Sequence, residues 1–202
     1  MADSSTILDA VNPRGVGVRI SLQRMGDRFA HTIYGVRHDT IDPIIASVED
    51  ADYEGWPLSP PLQELRESTD AEGNRALLLL GSAAYGHWSV SISSKFVHVR
   101  SPCIEIDLAV RLHRAPAYLG TAYELVGNGN WIDHVFTVAK RDPHRLLITA
   151  SPEDVTGTVT PSDLLKAFPG EAPSRRLFLP ARQLPQHYPG SYRWRYIIAA
   201  AV

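Results

Sequence analysis

The chain has 202 residues, 44% of them hydrophobic and 21% charged, and a formal net charge of -2. These are the proportions of an ordinary globular protein, so they exclude whole-chain disorder and predict one substantial core in a single domain over 1–202. The near-neutral balance gives no global attraction to nucleic acid or anionic lipid, and the lone Cys103 excludes an intramolecular disulfide and a multi-cysteine metal site.

Residues 1–12 hold Asp3 and Asp9, no basic residue and no long apolar run. They lack the marks of a secretory signal and are expected to be loosely ordered. The longest apolar runs, Ala76 to Leu80 and Ile197 to Val202, are too short for a membrane-spanning helix. A soluble chain in the reducing cytoplasm, with no membrane partner, is the expectation.

In chain order, Val16, Val18, Ile20 and Leu22 alternate with polar or small residues up to Gly26-Asp27, and Phe29 to Val36 follows. Period-two alternation around Gly-Asp predicts a β-hairpin. After the apolar run Pro43 to Val48, Ser59-Pro60-Pro61-Leu62 has the form of a helix start, with serine as cap and proline in the first turn, leading into Gln63 to Glu67. Ala76 to Leu80 is unbroken and apolar, as a strand buried on both faces would be.

Tyr85 to Lys95 alternates again, with Trp88, Val90 and Ile92 on one side, and Ile104 to Leu112 gives the clearest alternation in the chain. Two further hairpins are expected, at Gly127 to Asn130 and at Asp142 to His144, although Tyr118 to Val126 also fits a helix. Residues 151–190 form a proline-rich connection with a second helix signal at Thr160 to Phe168. Tyr192, Trp194, Tyr196 and Ile198 mark a last strand, best held inside the main sheet. The predicted fold is all-β and mainly antiparallel, a sandwich or distorted barrel with two short helices in its connections; an α+β domain is the alternative.

If Tyr85 to Lys95 pairs antiparallel with Cys103 to His113, then His87, Ser89, Ser91 and Ser93 lie beside Glu105, Asp107, Arg111 and His113. A carboxylate next to an imidazole orients it and raises its pKa, as general acid and base chemistry requires. His87, Glu105, Asp107 and His113 are therefore the candidate catalytic residues. The competing account is that the solvated face of an antiparallel sheet carries polar residues in any case. Glu105-Ile106-Asp107 resembles the first half of the catalytic signature of jelly-roll endoglucanases. The second glutamate is missing, since Leu108, Ala109 and Val110 follow, so no family is assigned.

Asp50, Asp52 and Glu54, followed by Gly55, have the spacing of a calcium loop and are the candidate ligands for a divalent metal. Pro61 stands where the bidentate glutamate of such a loop belongs, and a solvated acidic loop explains the residues as well. From Pro173 to Val202 the chain has arginines and no acid, with aromatics interleaved, which makes Arg193 and Arg195 candidate ligand contacts. The acidic stretch Asp39 to Glu72 balances that charge, and alternation turns Trp194 and Tyr196 away from the arginines, toward a core. Nucleic acid is thus disfavoured as a partner.

The remaining histidines, His31 among them, are scattered, and no Gly-Lys-Ser/Thr phosphate loop exists, so no cofactor is expected. The reading is a non-catalytic binding or interaction module with an unidentified ligand or protein partner. The alternative is a small hydrolase or isomerase built on the four candidate residues. Homo-oligomerisation through edge strands is the further possibility.

Overall fold

Alternation is realised as strand almost wherever the sequence shows it. The structure is a computed structural model describing residues 5–49, 56–70, 72–97, 101–116, 118–126, 129–132, 135–138, 145–150, 176–181 and 187–200. Its strands are β1 (Thr6–Val11), β2 (Val16–Met25), β3 (Arg28–Arg37), β4 (Thr40–Ser47), β5 (Glu64–Thr69), β6 (Arg75–Ala83) and β7 (Gly86–Val97). There follow β8 (Ser101–Leu112), β9 (Gly120–Leu125), β10 (Gly129–Ile132), β11 (Val135–Val138), β12 (Arg145–Ala150), β13 (Arg176–Pro180) and β14 (Gly190–Ala200). Among the described residues there is no helix, and so none long and apolar enough to cross a membrane.

The strands form two antiparallel sheets that do not close into a barrel. One has six strands in the order β1-β2-β3-β4-β9-β13; the other has eight, β10-β11-β12-β14-β8-β7-β6-β5. Because strand side chains alternate, each sheet turns one apolar face inward. Leu8, Val18, Ile20, Leu22 and Ile33 of the first sheet meet Leu77, Leu79, Val90, Ile92, Ile104 and Ile106 of the second in one buried cluster. Each such side chain contributes about 1.5–3 kcal/mol on full burial, so this layer is the main source of stability. As expected, β14 lies inside the larger sheet, between β12 and β8, and turns Trp194 and Tyr196 into the core.

In β4 a register shift against β3 leaves Ile44 as an extra residue, and both Ile44 and Ile45 are fully buried. Pro43 is tolerated because β4 pairs with β9 only from Ile45 onward, so its missing N–H breaks no second ladder.

Several expectations need correction. Gln63 to Glu67 is not a helix: the segment is the edge strand β5, paired from Glu64 to Thr69 with β6. The buried prolines before it do not cap a helix; they cross between the sheets. Along this crossing, Phe29 N donates to Leu62 O at 2.6 Å and Ala122 N to Leu58 O at 3.2 Å in the smaller sheet, and Gln63 N donates to Leu80 O at 2.8 Å in the larger. Ala76 to Leu80 is not buried on both faces, since Leu78 and Leu80 are 42% and 49% exposed.

Tyr118 to Val126 is no helix but contains β9, which pairs with β4 and β13, while β10 belongs to the other sheet; no hairpin joins them at Gly127 to Asn130. The expected pairing of β11 with β12 does form, and the turn at Asp142 to His144 lies outside the described residues. Loose order through residue 12 is also replaced, for Thr6–Val11, by pairing with β2. Within the proline-rich connection, Arg176–Pro180 is strand, and the second helix signal at Thr160 to Phe168 lies outside the described residues.

Candidate functional site

The larger sheet has an outer face opposite its core side chains, and three central strands build it. Register places His87, Arg111 and Ser191 in one row, Ser89, Ala109 and Arg193 in the next, then Ser91, Asp107 and Arg195, then Ser93, Glu105 and Ile197. The antiparallel pairing of β7 with β8 is thus the one the sequence suggests, and β14 adds its arginines to the same face.

The two carboxylates are fully engaged. Lys95 Nζ lies 2.9 Å from Glu105 Oε1 and Arg195 Nη1 lies 3.7 Å from Oε2. Arg193 forks onto Asp107, with Nε 2.8 Å from Oδ1 and Nη2 against Oδ2, and Arg195 Nε approaches Oδ2 at 3.9 Å. Such bidentate, charge-assisted contacts are among the stronger ones a surface offers. The Glu105 carboxylate, by its hydrogen bond, raises Lys95 above the ordinary ammonium pKa. Glu105 is largely buried, with Ser93 opposite it.

His87 and His113 come together at the far end of this face, with ring centroids 5.9 Å apart and planes at 82°. His87 sits four strand positions from the row of Asp107, about 13 Å at the usual rise per residue. The four candidate catalytic residues therefore form two separate pairs, an imidazole pair and an ion-paired carboxylate pair. Arg111, the cross-strand partner of His87 and two residues before His113, is exposed and, among the described residues, in no ion pair.

Beside that end the two-residue loop Ala84-Tyr85 joins β6 to β7, with Ala84 at a φ of 49°. Tyr85 is held between two partners. The Trp56 ring stacks on it at 4.9 Å, and the Arg114 guanidinium sits 4.1 Å from its centroid. Tyr85 Oη donates to Ala115 O at 3.1 Å, and Trp88 backs Trp56 at 5.0 Å. The result is an anchored stack that puts a second guanidinium next to His113 in the chain, near Arg111.

Arg193 and Arg195, read from sequence as ligand contacts, spend their charge on Asp107 and Glu105. Asp50, Asp52 and Glu54 lie outside the described residues. Among the described residues no group of three or more metal-ligating side chains is gathered.

One polar cluster escaped the sequence reading. His31 Nε2 and Tyr123 Oη are 2.8 Å apart, and Tyr123 Oη and Tyr196 Oη 2.7 Å apart, all three residues buried between the sheets. Burial lowers His31 to a pKa of about 4 and raises Tyr196 to about 12, so all three side chains are neutral near pH 7. The residues come from β3, β9 and β14, so no local spacing could have announced them. Compared with protein-family models, with curated proteins and with solved structures, the chain has no significant match.

Proposed function

We propose that this chain is a single-domain binding module whose larger sheet recognises an anionic group, a phosphate, sulfate or carboxylate, at His87, Arg111 and His113. The observation that carries the reading is Arg111: it is an exposed guanidinium in no ion pair among the described residues, on a face whose acids Glu105 and Asp107 are each already met by two cations. A guanidinium offers five donors in a planar fork suited to such oxyanions, and flanking imidazoles and the Ser191 hydroxyl add donors.

The hydrolase alternative has less support, because a carboxylate already paired to arginine and distant from the imidazoles is poorly placed to act as their base. The buried thiol of Cys103 fits a reducing compartment such as the cytoplasm.

Calorimetric titration with inorganic pyrophosphate tests the proposal. Saturable binding is expected, weakened about tenfold or more in Arg111→Ala and unchanged in Arg14→Ala, in the exposed turn before β2. No saturable binding by the parent chain, or equal binding by Arg111→Ala, would contradict it.

A further inference from the structure

We infer that β5 is a self-association edge, through which two copies of this chain join their larger sheets by antiparallel β5–β5 pairing centred on Leu65. As the terminal strand among the described residues, β5 has β6 on one side only, so its other row of backbone groups is open there for pairing. The edge strand β1 of the smaller sheet differs, because Arg75 Nη1 donates to Ile7 O at 2.7 Å and occupies part of its rim.

Charge selects the occupant. Glu64 and Arg66 point to the same face of β5, and neither enters an ion pair among the described residues. In an antiparallel pair about a two-fold axis at Leu65, Glu64 of each copy stands opposite Arg66 of the other, giving two reciprocal pairs from one strand. A strand whose charges complement their own reversed copy is suited to itself. An unrelated acidic or basic strand would leave one of the two charges opposed by its like.

Apolar surface lies behind those charges. Leu80 is opposite Glu64 and Leu78 opposite Arg66 on β6, so both exposed leucines flank the junction on the same face. On the inward side Leu65, partly buried against the core, meets its counterpart and extends the apolar layer from one copy into the next. The exposed leucines that a lone β6 leaves in water thereby become part of a continuous face shared by two chains.

Sedimentation equilibrium of the full chain tests this, with circular dichroism confirming that each variant is folded. A concentration-dependent dimer is expected. Glu64→Arg or Arg66→Glu alone sets like charges opposite each other and should weaken dimerisation about tenfold or more. The double variant Glu64→Arg with Arg66→Glu restores both pairs and should regain the dimer. A chain that stays monomeric, a dimer indifferent to the single reversals, or a double variant as weak as the singles would each overturn the inference.

Discussion

Tyr123 and Tyr196 share a hydroxyl–hydroxyl hydrogen bond of 2.7 Å that joins the two sheets through their apolar interior. A hydroxyl has one proton to donate, so Tyr123, which also meets His31 Nε2, links a donor–acceptor chain whose members have little access to water.

The position within that chain sets the expected cost of removal. Tyr196→Phe leaves Tyr123 its contact with His31 and should lower stability by about 1 kcal/mol. Tyr123→Phe strands two buried groups at once and should cost roughly 2–4 kcal/mol. Urea denaturation of both variants checks the order; equal losses would mean that Tyr123 is not the central link.

Burial of His31 makes stability depend on pH in a defined window. Its folded pKa is about 4 against an ordinary 6.5, so between these values the unfolded state binds more protons and stability rises with pH. The contribution is complete above pH 6.5, falls as the pH drops and is gone below about 4, amounting to about 3 kcal/mol across the window. Denaturation of the parent and of His31→Gln at intervals from pH 7 to about pH 4 isolates this histidine from the surface carboxylates. The two curves should converge toward acid.

Legibility followed sequence distance. The β2–β3 and β7–β8 hairpins and the inward turn of Trp194 and Tyr196 follow from local alternation, and the structure has them. Gln63 to Glu67 misled because helix-favouring residues follow a serine and two prolines, whereas the pairing with β6 that decides its conformation lies outside the segment. The leucine run of β6 misled because identical residues conceal alternation, so Leu77 and Leu79 could not be told from Leu78 and Leu80. At the candidate site, the meeting of His87 with His113 was legible from one hairpin. The claim of Arg193 on Asp107 was not, since it depends on β14 choosing β8 as its neighbour.

Two glycines should respond unequally to alanine. At Gly81 an added Cβ would run into the Pro61 carbonyl of the crossing segment, while at Gly86 it would come 2.6 Å from the Trp88 ring. A backbone segment tied to both sheets cannot give way as a side chain can. Gly86→Ala should cost roughly 1–3 kcal/mol and Gly81→Ala more, by thermal or chemical denaturation.

Ala84 carries the opposite liability. Its φ of 49° lies in the left-handed region that glycine adopts without strain. Ala84→Gly should therefore leave the fold intact and raise stability by up to about 1 kcal/mol. A lower melting temperature would show that the loop gains more from the alanine methyl than it loses in its backbone.

The anion site on the larger sheet is tested most directly by mapping where an anion acts. Pyrophosphate titrated into the labelled protein, followed by two-dimensional amide NMR, should give saturable shifts confined to the rows of His87, Arg111 and Ser191 and to His113 and Arg114. Shifts that fail to saturate, or that centre on other basic residues such as Arg14 and Arg37, would contradict the account.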